Sequence, residues 1–276
     1  MKANYDLKLR SFILAAALLP GLGFVTHAGA QESASYLIDL DSRTATELEV
    51  GAVTAVNDAG QLVGYFKDSG GREHAFITGP NGVGMRDLGA LGGSDSRALG
   101  INNAGQVVGY SERSGGREHA FITGPNGVGM RDLGTLGGNW SRAYNINDAG
   151  QVVGSIHAPE EGPPHAFITG PNGVGMRDLG PVEWDFSDAL YINNAGQVVG
   201  YTYTGNYPLT IFITGPDGVG LRDLGTLGGS FTRPNDINSA GQVVGYSDLL
   251  PPSDDRPAGH PDAFITGPDG LGMREL

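Results

Sequence analysis

Polar and apolar positions alternate in short bursts along this chain, and each burst ends in a turn. Val107 and Val108 sit beside Gly109 and Tyr110, and Ala120-Phe121-Ile122-Thr123 forms a second apolar run four residues long. Runs of this length, rich in β-branched and aromatic residues and bounded by glycine, asparagine and proline, predict strands. The 3.6-residue period of an amphipathic helix is absent after residue 30. The apolar pairs show no single wet face, which suits sheets covered on both sides.

The turns between the bursts have their own chemistry. Gly124-Pro125-Asn126-Gly127 sets φ with proline and offers a left-handed position to glycine, so the flanking Ala-Phe-Ile-Thr and Met-Arg-Asp-Leu segments read as a hairpin. A second turn, Asn-x-Ala-Gly-Gln, joins another pair of strands, with asparagine opening it and glycine in the left-handed place. Its asparagines fall at Asn57, Asn102, Asn147, Asn193 and Asn238, at intervals of 45, 45, 46 and 45 residues.

The His119–Gly134 segment recurs letter for letter at His74–Gly89 and His165–Gly180, with edited copies at Thr210–Gly225 and Asp262–Leu276. Four strands in each unit of about 45 residues predict an all-β propeller of about five four-stranded blades, with an open β-solenoid as the alternative. The units open near residues 53, 98, 143, 189 and 234 within one repeat domain, 31–276. Adjacent Arg and Asp suit a solvated edge and place Met-Arg-Asp-Leu outermost; Ala98, Ala143 and Ala189 then belong near the axis. Either Ser35–Leu40 or Met273–Leu276 is available to complete a blade across the ring junction.

Composition adds a cellular setting. Lys2, Lys8 and Arg10 precede the apolar Phe12–Leu19 run, and Ala28-Gly29-Ala30 offers small residues for cleavage, so residues 1–30 read as a signal peptide. Pro20 and Gly21 cut the apolar run short of a spanning length, and no later stretch is apolar enough to cross a membrane. The expected location is outside the cytoplasm, in the periplasm or the medium. The chain has no cysteine, so stability has to come from packing or a bound ion. Net charge is −13, and becomes −15 when residues 1–30, with Lys2, Lys8, Arg10 and Asp6, are removed. Such a surface repels phosphate backbones and argues against nucleic-acid binding.

Together, His-Ala-Phe, Asp-Leu-Gly-Thr-Leu-Gly-Gly, Ser-Arg-Ala, Ile-Asn and Gly-Gln-Val-Val-Gly resemble the HAF repeat family of extracellular bacterial proteins, over essentially all of 36–276. The resemblance implies export and a repetitive β architecture. It carries no catalytic residues onto this chain. The fourth unit departs from the pattern: Pro181-Val-Glu-Trp184 replaces Thr-Leu-Gly-Gly, and Thr210 stands in the histidine position, as Asp262 does in the fifth.

Chemistry-bearing positions are few. His74, His119 and His165 invite a metal reading, but one per unit, absent from two units, they read as strand-start residues. The Asn-Asp-Ala-Gly and Pro-Asp-Gly turns lack the spaced carboxylates of a calcium loop, so no cofactor or metal is expected and structural calcium has no support in the sequence. Asp68, Asp95, Glu160, Glu161, Glu183, Asp185 and Asp188 lie in segments read as irregular and solvated. In a four-stranded meander the two tight turns share one end of each blade and the variable loops share the other. That variable end holds the candidate binding residues Trp140, Trp184, Phe186, Phe231, Tyr203 and Tyr207, with Asp95, Trp140, Phe186 and Phe231 at one equivalent position in successive units. Aromatics in loops on a rigid scaffold contact partners or sugars; the competing reading is that they plug gaps between blades. The expected function is a monomeric, non-enzymatic binding module for a protein or a glycan, with a propeller enzyme of glycoside hydrolase or lyase type, or a structural matrix protein, as alternatives.

Overall fold

The computed structural model describes residues 51–157, 162–180, 186–203, 209–249 and 261–276, together with the backbone of strands Phe12–Ala15, Ser35–Asp39 and Thr44–Leu48. Five antiparallel sheets of four strands follow one another along the chain, each a simple meander. We number them as blades one to five. Their first strands are Ala52–Val56, Gly92–Ile101, Ser141–Ile146, Phe186–Ile192 and Gly228–Ile237. These five run side by side at the centre of the array, and the Arg-Asp strands lie outermost, at Met85–Gly89, Arg131–Gly134, Arg177–Asp178, Arg222–Gly225 and Arg274–Glu275.

Each blade is made from one continuous segment. Arg274–Glu275 pairs with Asp262–Ile265 of its own blade, while Ser35–Asp39 pairs with Phe12–Ala15 and Thr44–Leu48 in a separate three-stranded sheet. Neither terminal strand crosses over to complete another blade. Four apolar cores join one blade to the next, and among the described residues none joins the fifth to the first. Strand Phe12–Ala15 lies beside the inner strand of blade one instead.

Apolar residues on both faces of a strand serve two cores. Val107 packs into the core between blades one and two, and its neighbour Val108 into the core between blades two and three. Phe121 and Phe167, fully buried, cross from one blade onto the valine and alanine of the blade before it. Ala98, Ala143 and Ala189 lie on the innermost strands as expected, but their side chains are fully buried in these interblade cores rather than turned to the axis.

The Val-Val-Gly glycine is a place where only hydrogen fits. A Cβ on Gly109 would lie 1.9 Å from the carbonyl oxygen of Arg97, because the inner strand bulges toward it between Ala98 and Gly100.

Polar motif residues are consumed by the same architecture. The hydroxyl of Ser141, from the Ser-Arg-Ala motif, accepts from the Ala120 N–H of the preceding blade at 2.8 Å and donates to Gly134 O at 2.6 Å. Thr123 accepts from Val107 N–H at 2.9 Å. Asn102 caps its own turn through Oδ1, which accepts from Ala104 and Gln106 N–H at 3.1 and 2.9 Å. Both tight turns emerge at one end and bond to each other: Gly127 N–H donates to Gly105 O at 2.8 Å. In the Pro-Asn-Gly turn both Asn126 and Gly127 are left-handed, with φ of 53° and 68°, which suits asparagine and glycine.

Candidate functional site at the long-loop end

The opposite, long-loop end of the inner strands carries a belt of arginine and tyrosine. Inner strands supply Arg97, Arg142, Asp188 and Arg233 at one equivalent position; across the ladder stand Tyr110, Ser155, Tyr201 and Tyr246 on second strands. Each guanidinium lies over the tyrosine of the blade before it, Arg97 on Tyr65 at 4.5 Å, Arg142 on Tyr110 at 4.8 Å and Arg233 on Tyr201 at 5.9 Å from the ring centroids, within cation–π range. Arg97 is also bonded to Glu73, which holds its guanidinium above the ordinary value, and Arg142 to Glu118 at 2.6 Å.

The belt changes at the junction of blades three and four. Ser155 replaces tyrosine and Asp188 replaces arginine, so no stack forms. Tyr144, the bulged residue of its inner strand, fills the space and shares a hydrogen bond of 2.8 Å with Ser155 Oγ. Burial, reinforced by the charge of Asp188, pushes the Tyr144 phenol up to about 12.

Asp188 itself is 7% exposed. Its Oδ2 accepts from the Tyr201 hydroxyl at 2.6 Å, and its Oδ1 is buried without a hydrogen-bond partner among the described residues. Burial raises the carboxyl above its usual range, against the opposing pull of Tyr201, Ser155, Arg233 and Arg142. Burial and the adjoining carboxylate likewise raise the Tyr201 phenol. The expectation of a solvated Asp188 in an irregular segment is therefore corrected: Ser187-Asp188-Ala189 occupies the place of Ser-Arg-Ala, and the strand buries it.

Asp95 is likewise on a strand, Gly92–Ile101. It accepts from Glu73 N–H at 2.8 Å, the main reason its carboxyl sits below the usual range. The Ser94 hydroxyl lies 2.6 Å from Asp95 Oδ2 and 2.9 Å from Glu112 Oε2, bringing two carboxylates to one hydroxyl. Asp68 closes a turn by accepting from Gly70 and Arg72 N–H, chiefly the latter lowering its carboxyl.

Of the aromatic candidates, Trp140 is half-buried, with its ring 5.5 Å from His157 and 5.3 Å from the Arg142 guanidinium. Phe186 stacks on Tyr201 at 5.6 Å and Phe231 tilts over Tyr246 at 5.9 Å, both half-buried. Tyr203, directly opposite Phe186 in the ladder, is 40% exposed. The structure thus brings Trp140, Phe186, Tyr203 and Phe231 to one end of three successive blades, each pinned to its own sheet. Trp184 and Tyr207 lie outside the described residues, as do Glu160, Glu161, Glu183 and Asp185. The belt itself was missed from the sequence, although Arg in Ser-Arg-Ala and Tyr after Val-Val-Gly recur at fixed spacing.

The three histidines pair with the outer strand. Nδ1 of His74, His119 and His165 lies 2.9, 3.0 and 2.9 Å from Asp87, Asp132 and Asp178. Among the described residues no three metal-binding side chains converge. At the other end, a groove of about 600 Å³ between blades four and five is bounded by repeat residues such as Gln197, Arg222 and Asp269.

No family model matches the chain, and no curated protein matches it in sequence. Solved structures do share its fold. The β-propeller domain of the trilobed protease from Pyrococcus furiosus, described as having an open velcro topology, aligns with TM-score 0.60 at 10% identity, over 88% of this chain and 76% of that one. TolB from Acinetobacter baumannii aligns with TM-score 0.56 at 11% identity over 86% of this chain, which spans 57% of the TolB chain. An oligogalacturonate lyase in complex with manganese aligns with TM-score 0.55 at 14% identity, over 88% and 70%. At these identities the likeness establishes the β-propeller fold alone. Among the described residues no helix is long and apolar enough to cross a membrane.

Proposed function

We propose that this chain is an exported propeller of HAF-repeat type that acts as a binding module, receiving a protein or glycan partner at its long-loop end. One observation carries the reading: Trp140, Phe186 and Phe231 share a single place on three successive blades, with Tyr203 exposed beside them, while the opposite end is built from near-identical turns. Rings held against Arg142, Tyr201 and Tyr246 lose little freedom when a ligand covers them, which favours binding. Recognition resides where the blades differ, because the repeated hairpins are already committed to packing.

A glycan array and a pull-down with the purified chain test this reading. Wild type is expected to retain a ligand that the double variant Trp140→Ala, Phe231→Ala releases, at unchanged circular dichroism. Failure of wild type to bind in either format, or equal retention by the variant, overturns it.

A second reading rests on Ser94, where Asp95 and Glu112 meet as two carboxylates at the same end. It predicts cleavage of an acidic or neutral oligosaccharide that Glu112→Gln abolishes. If no cleavage is seen across an oligosaccharide panel, the pair is structural and the binding module stands alone.

A further inference from the structure

Every internal blade junction repeats one set of contacts at the tight-turn end, and both halves of that set stand open at the two ends of the row. On the donating side, asparagine reaches the carbonyl of the next asparagine, as Asn57 does to Asn102 O at 3.1 Å. Glutamine reaches the turn of the next blade, as Gln151 does to Asp217 Oδ1 at 3.0 Å. Arginine reaches the carbonyl of that same turn, as Arg131 does to Asn172 O at 2.6 Å. Between them an isoleucine and a leucine close on a glycine: a Cβ on Gly127 would meet Leu88 Cδ2 at 2.8 Å and Ile77 Cγ2 at 3.0 Å.

Blade five holds the donating half without a recipient. Asn238 is exposed and among the described residues its amide reaches only Gln242 of its own turn, while Gln242 bends back to Thr266 O at 3.4 Å. Ala263 is exposed where Ala75, Ala120 and Ala166 are fully buried, Ile265 is half-exposed, and Arg274 is exposed with no acceptor among the described residues.

Blade one holds the accepting half without a donor. Asn81 is exposed, and among the described residues neither its carbonyl nor its Oδ1 accepts a bond. Gly82 is half-buried where Gly127, Gly173, Gly218 and Gly270 are buried, and Met85 is 44% exposed where Met130 and Met176 are partly covered. Deeper in the same face Leu62 and Phe76 are fully buried, so the accessible part is the turn edge.

We propose that the open face of blade five docks the tight-turn edge of blade one of a second copy of this chain, head to tail. The occupant follows from complementarity: this edge supplies, on Asn81 and Gly82, two of the three acceptors and the glycine that four internal junctions use, and blade five supplies the matching donors and isoleucine. A two-fold contact between two copies of blade five would set Arg274 against Arg274 and donors against donors. A head-to-tail contact leaves one open half on each outer copy, so it propagates until a ring closes. This departs from the monomer expected from the sequence, and it concerns the end of the molecule opposite the proposed ligand site.

Sedimentation velocity on the purified chain tests it. Wild type is expected to associate as concentration rises from about 1 to about 200 µM, a range suited to a small interface. Ala263→Glu blocks the donating end and Met85→Glu the accepting end. Each alone is expected to sediment as a monomer, and an equimolar mixture as a dimer, since one intact half remains on each partner. Arg274→Glu, at an exposed position, is a second donating-end variant that keeps the test sound if Ala263→Glu fails to fold by circular dichroism. A wild type that stays monomeric throughout, single variants that associate like wild type, or a mixture that stays monomeric would each overturn the proposal.

Discussion

The side-chain amide of Asn102 donates to the backbone carbonyl of Asn147, 45 residues away, at 3.1 Å. The same bond joins Asn57 to Asn102, Asn147 to Asn193 and Asn193 to Asn238. The repeat period of the sequence is thus visible as one hydrogen bond that ties each blade to the next. The exposed residue after each of the first four asparagines continues the line, with Asp58, Asn103, Asp148 and Asn194 alternating acid and amide so that Asn103 and Asn194 both donate to Asp148. Four aspartates in that row would repel; alternation turns the row into hydrogen bonds.

Asn102→Ala removes an interblade bond and strands the buried N–H of Gln106 along with the part-buried one of Ala104, so it is expected to cost about 3 kcal/mol in urea unfolding. Asn238→Ala acts on the exposed fifth copy, which among the described residues meets no further blade, and is expected to cost under about 1 kcal/mol. Equal losses at the two positions would show that the bond between blades contributes nothing beyond the turn.

Gly109→Ala places a methyl 1.9 Å from Arg97 O, where only backbone movement relieves the clash; the expected loss is about 3 kcal/mol or more. Gly116→Ala meets nothing within 4 Å but holds φ at 77°, and should cost about 1 kcal/mol. Thermal melts of the two variants decide whether close approach or chain conformation governs these glycines; a smaller loss at Gly109 would contradict the packing described.

Phe121→Ala, a fully buried ring on the core of blades one and two, is expected to destabilise by about 3–5 kcal/mol. A loss below about 1 kcal/mol on denaturant titration would mean that the blades do not rely on this side chain to hold together.

Asp188 has its folded carboxyl raised above 3.8 by burial. A raised acid favours folding fully below its unfolded value, and that contribution is lost as pH climbs through the folded value. Asp188→Asn should therefore gain on wild type as pH moves from about 3 to about 7, read as the difference in denaturation midpoints. A difference that stays flat, or that turns against the variant as pH rises, would show that the charged form is well accommodated.

Much of this architecture is legible in individual residues. Val107-Val108 announced two buried faces, Gly-Pro-Asn-Gly and Asn-x-Ala-Gly-Gln announced both turns, and the Arg-Asp pair announced the outer strand. These are local: steric limits and hydrogen bonds within a few residues set them, and repetition multiplies each signal five times. The propeller reading rested on that repetition, since each blade buries its faces only against neighbours of the same kind.

The site was less legible. Asp188 looked like a loop residue because Pro181–Trp184 interrupts the repeat just before it; only alignment of Ser187-Asp188-Ala189 with Ser-Arg-Ala shows the strand position. The aromatic position shared by Trp140, Phe186 and Phe231 was visible, but their stacking on His157, Tyr201 and Tyr246 was not, because those contacts depend on how the inner and second strands twist together.

Turn chemistry, strand order within a blade and the number of blades thus follow from the chain itself, through short-range geometry repeated in register. The partnership of Arg142 with Tyr110 of the preceding blade, the burial of Asp188 and the unmatched faces of blades one and five belong to the assembled molecule. They depend on which blade stands beside which, and on how far the row turns, and no single repeat contains that information.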